Sequence, residues 1–308
     1  MDEKLKLFVM GHGNAFHSRV ISKLRTLGWS VMVSPFYRDN ATGKAREADI
    51  IAEKEVKFGM DGNSNASNGF FLIRLVIECK YVKDPIIFWF DKKDATATEE
   101  RIIKDISIFQ NSKKNTSIKK HHWYESEEAA KLFATFNQNK EERQFENEII
   151  FSSVDKVLNC LINYRSKPSI ITSPISPDHC FYKKLNPIII TYPIIILDSF
   201  SKLYRTEISS QTDQITNLNG AVNFDIEVNY EYEQGIFGGE HPKVSHHPYL
   251  SIRVKMPGET EPEEPKTWSE YKNMNFEYFL LDVTCIEKLD DYLEKLKNKD
   301  LRAALNFV

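Results

Sequence analysis

From Phe70 the chain runs Phe-Phe-Leu-Ile-Arg-Leu-Val-Ile and then stops at Glu78-Cys79-Lys80. A strand this apolar offers almost nothing to water, so it must lie buried at the centre of a sheet. Arg46 to Ala52 reads as the strand before it, with Asp49 near its start. Phe58 to Gly69, between them, is rich in Gly, Asn and Ser. These residues favour turns, so the two strands are expected to form a long-tipped antiparallel hairpin. Side chains alternate along a strand, so Glu78 and Lys80 share a face and Cys79 looks into the opposite layer. That geometry brings Asp49, Glu78 and Lys80 within reach of one another. Charges at the end of a buried strand are costly unless they are paired or bind metal. The bland alternative is a pair of solvated strand-end acids with Lys80 as a surface ion-pair partner, worth little in energy.

Each of the three residue types suits one task in phosphodiester hydrolysis. Asp and Glu supply hard oxygen ligands for Mg²⁺ or Mn²⁺, which neutralises charge at the reacting phosphate. A lysine orients or helps deprotonate the attacking water and stabilises developing charge.

The lead-in adds context. Asn14 to Leu27 has the spacing of an amphipathic helix, with Phe16, Val20, Ile21, Leu24 and Leu27 on one side and Gly28 as its stop. Trp29 to Tyr37 reads as a strand, and Arg38 to Lys44 is turn chemistry leading into the Asp49 strand. The order helix, strand, strand with Asp, strand with Glu-x-Lys resembles the PD-(D/E)xK restriction-endonuclease-like superfamily over roughly residues 14 to 165. The resemblance implies an α/β (α+β) fold with a mixed central sheet flanked by helices. It also implies a metal-dependent nuclease, an endodeoxyribonuclease set in defence against foreign DNA, using Mg²⁺ or Mn²⁺. In that reading Asp49, Glu78 and Lys80 are catalytic, Asp49 and Glu78 hold the metal, and the partner is nucleic acid, DNA in particular. A homodimer is carried as a further expectation. The alternative is a catalytically degenerate fold that binds nucleic acid or protein without cutting.

One departure bears on the metal. Many members carry an additional acid on the first helix, but Asn14 to Gly28 contains no Asp or Glu, and His17 and Ser18 stand nearest its place. Glu47, two residues before Asp49 and so on the same strand face, is an auxiliary metal ligand or else an exposed partner of Arg46 or Lys44. His17 reads as a helix-surface or cap-region residue rather than a metal ligand, since its spacing matches no His-rich site.

Beyond the hairpin, Glu99 to Phe109, Glu125 to Asn137 and Glu142 to Tyr164 read as helices. Lys113, Lys114, Lys119 and Lys120, with His121 and His122 and the aromatics Trp123 and Tyr124, form a basic cluster. It suits phosphate contacts and base stacking, or is simply a solvated loop. Prolines recur after Lys167, and the division drawn is a nuclease-like core over residues 1–166 and an α+β region over 167–308 that extends the sheet or packs on it. In that region Ile188 to Leu197, Asn223 to Tyr232, Tyr249 to Met256 and Tyr278 to Val283 read as strands, and Ser199 to Ile208 as a strand pairing with the first. A helix over Ile286 to Leu305 closes the chain, Glu240 with His241, His246 and His247 reads as a surface loop, and Asp198 as the start of a turn. Net charge is −3, so any pull on nucleic acid must come from a local basic surface. The four cysteines are widely separated with no C-x-x-C pair, against a zinc ribbon or disulfide framework. No signal segment or membrane-length apolar run is visible, which predicts a cytoplasmic chain.

Overall fold

The computed structural model describes residues 3–4, 13–39, 43–58, 69–106, 119–136, 148–165, 167, 169–171, 188–208, 215–218, 222–233, 243–250 and 274–300. Helix α1 (Gly13–Thr26) buries Phe16, Val20 and Leu24, one residue per turn on a single stripe. It stops at Gly28, whose φ of +77° suits glycine, with Gly28 N–H donating to Arg25 O and Trp29 N–H to Leu24 O, both at 3.0 Å. The chain then enters β1 (Ser30–Val33), β2 (Phe36–Arg38), β3 (Ala45–Glu47), β4 (Ile50–Phe58) and β5 (Gly69–Lys80). After β6 (Ile86–Lys92), α2 (Ala95–Ile106), a short 3₁₀ turn at His122–Tyr124 and β7 (Glu128–Thr135) comes the long helix α3 (Glu148–Arg165). Strands β8 (Ile188–Leu197), β9 (Leu203–Glu207), β10 (Thr216–Asn217), β11 (Val222–Glu233), β12 (Lys243–Leu250) and β13 (Met274–Cys285) follow, then α4 (Leu289–Lys295) and a π turn to Asp300. Among the described residues no helix is long and apolar enough to cross a membrane.

One mixed sheet carries the molecule, in the order β1-β4-β5-β8-β13-β11-β7-β6-β9-β10, with β12 also paired to β11. The hairpin read from the sequence is present: β4 and β5 are antiparallel from Ile50↔Ile77 to Phe58↔Gly69, and the tip at 59–68 lies outside the described residues. On its other edge β5 pairs with β8 in parallel, and α3 provides the crossover. Alternation sorts the side chains into two layers. Ile51, Val76, Ile195 and Leu197 meet Val154, Leu158 and Leu161 of α3. Ile50, Ile77, Cys79, Ile194 and Ile196 meet Phe16, Val20 and Leu24 of α1, Ile102 of α2 and Leu289 and Leu293 of α4. Strand β8 runs through Pro193, but β13 registers only from Ile194 onward, so the proline sits where β8 still has an unpaired edge.

A fully buried ion pair binds the crossover to the hairpin. Arg74 Nε donates to Glu53 Oε1 at 2.6 Å and Arg74 Nη1 to Tyr164 O at 2.5 Å, while Glu53 Oε2 accepts from Ser169 Oγ at 2.6 Å and Ile170 N–H at 2.8 Å. The carboxylate and the guanidinium are cross-strand partners, so both strands hold the carboxyl end of α3 and the chain that leaves it.

Several expectations are corrected. Glu125 to Asn137 is not a helix: β7 lies there, antiparallel to β6 and in parallel register with β11 at Phe224↔Ala130. Its Ala, Leu and Lys favour a helix, but buried Ala129 and Ala130 fit a gap between two strand edges, and pairing there outweighs propensity. The Trp29–Tyr37 strand is split at Ser34, whose φ is +51°, and at Pro35. The Arg46–Ala52 strand is broken at Ala48-Asp49, leaving β3 in a separate two-stranded ribbon with β2. Strand β9 pairs with β6 and not with β8. His246 and His247 lie on β12, not in a loop; His241, Glu240 and residues 251–256 lie outside the described residues. The last helix is shorter than expected, giving way to the π turn after Lys295, and residues 301–305 are again outside the description.

Candidate active site

The break before β4 places Asp49. Ile50 pairs with Ile77, so Asp49 and Glu78 stand at the next cross-strand step, where the carboxyl end of β5 leaves the sheet. Asp49 Oδ2 accepts the Cys79 N–H at 2.8 Å, which ties the acid to β5 backbone. Cys79 itself turns to the α1 layer, as alternation requires, and its thiol is pushed well up by burial and then by Asp49 and Glu78, so it stays protonated.

Glu78 is 1% exposed, yet its Oε1 accepts Lys80 Nζ at 2.9 Å and Lys156 Nζ at 3.0 Å. Burial raises its carboxyl above the ordinary value, the Asp49 charge adds to this, and the two ammoniums oppose it. Lys156 is likewise disfavoured by burial, but Glu78 and then Asp49 outweigh that and hold its ammonium above the usual lysine value. The residue comes from α3, and its backbone carbonyl accepts the Tyr37 hydroxyl of β2 at 3.3 Å. Sequence reading passed it over. The signal available was a lysine set among Val154, Val157 and Leu158 on the helix that covers β5.

His17, read as a helix-surface residue, instead faces the site from α1, with Nε2 3.4 Å from Asp49 Oδ2. Glu47 is placed apart: the strand break removes the shared face argued for it, and it lies exposed on the ribbon opposite Phe36. Arg46 on that ribbon ion-pairs with buried Asp39. Asp198 links loops, accepting Val82 N–H at 2.7 Å. His17, Asp49 and Cys79 bring an imidazole nitrogen, a carboxylate oxygen and a thiol sulfur close enough together to surround an ion, whereas Glu78 faces the α3 layer beside Lys156.

The basic cluster divides. Lys113 and Lys114 lie outside the described residues, Lys119 and Lys120 are exposed, and His121 and His122 are buried rather than presented to a ligand. His122 Nδ1 meets Asp300 Oδ2 at 2.5 Å and Nε2 meets Asp282 Oδ2 at 2.8 Å, while Tyr292 OH and Trp123 Nε1 also donate to Asp282. Burial opposes charge on His122, but Asp300 and Asp282 prevail and raise it from 6.5 to about 10, so both ring nitrogens carry protons. His121 is lowered to about 4, chiefly by burial. Its Nδ1 accepts Trp123 N–H at 3.2 Å, so its one proton sits on Nε2, which faces Asp300 Oδ2 at 3.3 Å. These three side chains lie close enough to surround an ion, but the two nitrogens directed at Asp300 are donors, and the group is a structural bolt.

No family model, curated protein or solved structure matches the chain.

Proposed function

We propose that the chain is a divalent-metal-dependent nuclease of restriction-endonuclease-like fold that hydrolyses phosphodiester bonds in DNA, with defence against foreign DNA as its setting. The convergence of Asp49, Glu78 and Lys80 at the end of a buried central strand carries this reading. The order of elements supports it: a helix, three antiparallel strands and, through a crossover helix, a fourth strand parallel to the third. Asp49 and Glu78 would hold Mg²⁺ or Mn²⁺, with His17 standing beside Asp49 where a helix acid is absent. When bound, the cation supplies neutralisation of phosphate charge and a lowered pKa for water. Lys80, 23% exposed by side chain and anchored to Glu78, orients the attacking water and stabilises the charge that develops.

A second reading rests on a specific observation. Glu78 is met by two ammoniums of the chain itself, so a fold that keeps these charges without cutting is the alternative. Incubation with plasmid, linear duplex, single-stranded DNA and RNA, each with Mg²⁺, Mn²⁺ or EDTA, separates the two. Metal-dependent cleavage lost in Asp49→Ala and Lys80→Ala is expected. Nucleic-acid binding with no cleavage under any condition refutes the nuclease and leaves the binding module.

A further inference from the structure

We infer that Lys156 is a second phosphate-directed catalytic cation, delivered by the crossover helix to the same carboxylate oxygen that holds Lys80. The inference rests on the phosphodiesterase reading above and deepens it. Lys80 Nζ and Lys156 Nζ lie 2.9 and 3.0 Å from Glu78 Oε1, one arriving along β5 and the other from the layer above. A lysine whose task is only to neutralise Glu78 is redundant here, because Lys80 already does so. Lys156 also remains 33% exposed by side chain, so its ammonium is both anchored and open to a ligand.

Charge accounting gives the second ammonium a purpose. Asp49 and Glu78 balance Lys80 and Lys156, so the four groups sum to zero. With both carboxylates committed to a dication, the same groups and the ion sum to two positive charges. In hydrolysis water adds to phosphorus while the ester P–O bond breaks, and a proton from water ends on the departing alcohol oxygen. The phosphate goes from one negative charge toward two on the way. A site with Lys80 alone would match the resting diester, whereas a site with both lysines matches the charge at the barrier. Binding that strengthens toward the transition state raises kcat more than it lowers KM.

The same geometry makes Lys156 a competitor of the metal for Glu78. Its removal should therefore slow cleavage and tighten metal binding, two effects of opposite sign that a damaged fold would not produce together. The test compares wild type with Lys156→Met and Lys156→Arg, each checked for an unchanged melting profile. Mn²⁺ binding is followed by calorimetry without substrate and cleavage by single-turnover kinetics. Expected are a fall of about 100-fold in kcat for Lys156→Met with KM little altered, the scale of losing one charge-stabilising donor. Mn²⁺ affinity should rise about two- to fivefold, the worth of a partly exposed ion pair. Lys156→Arg should recover part of kcat. Cleavage by Lys156→Met at the wild-type rate, or weaker Mn²⁺ binding, overturns the inference alone. A wild-type chain that binds Mn²⁺ and cleaves nothing overturns the phosphodiesterase reading and the inference with it.

Discussion

The Asp282–His122–Asp300 bolt should make the fold weaken as pH rises through the neutral range. His122 is raised from 6.5 to about 10 by the two carboxylates that receive its ring protons, so the folded chain keeps a proton that the unfolded chain releases above about 6.5. A raised pKa contributes stability that is complete below the unfolded value and is lost as pH climbs toward the folded one. The slope is at most about 1.4 kcal/mol per pH unit for one proton, and the whole contribution is of order 5 kcal/mol if retained to the upper end. His121, lowered to about 4, works in the opposite sense: its contribution is present above about 6.5 and disappears as pH falls toward 4. The facing groups are Asp282, Asp300, Tyr292, Tyr192 and, at longer range, Lys93. Urea unfolding followed by tryptophan fluorescence at intervals from about pH 6.5 to 8.5 measures the slope; higher pH is avoided because buried Cys79, Cys160 and Cys285, with raised thiols, add a dependence of the same sign. Wild type should lose about 1 kcal/mol per unit or slightly more across this window, and His122→Gln, though less stable overall, should lose much less. A flat wild-type profile, or equal slopes in both proteins, refutes the charged-bolt reasoning.

Three further outcomes follow from the geometry. Glu53→Gln or Arg74→Met alone leaves a buried charge unpaired and should cost about 3–5 kcal/mol in urea unfolding, whereas the double change should cost clearly less than the two singles combined. His17→Ala should weaken Mn²⁺ binding about tenfold by calorimetry, and His17→Asp should move the preference toward Mg²⁺, since an oxygen then stands beside Asp49 in place of a nitrogen. Gly28→Ala should cost about 1 kcal/mol or more, because alanine is strained at a φ of +77°; an unchanged melting temperature would contradict that.

The central hairpin was legible because it is local: an apolar run, a turn-rich break and two acids at one end are neighbours in sequence and in space. The same locality made α1 and its Gly28 stop readable. Lys156 and His17 were harder, since a helix declares which face is apolar but not which strand end that face will cover. β7 was misread because its residues prefer a helix and only the waiting edges of β6 and β11 make it a strand. His121 and His122 looked like members of a cationic loop because their carboxylate partners, Asp282 and Asp300, come from the far end of the chain. Long-range partners of this kind leave no periodicity to read.

The parallel pairing of β5 with β8 has a consequence for how the protein comes into being. Chains are synthesised from the amino end, and Asp49, Glu78 and Lys80 are all in place long before Ile188–Leu197, the strand that closes the open edge beside them. Until that strand arrives, β5 has a bare, strongly apolar edge, and α3, which brings Lys156, has no completed sheet to lie on. The candidate site is thus written early and assembled late, so a newborn chain carries Asp49, Glu78 and Lys80 before it has the strand that completes their surroundings.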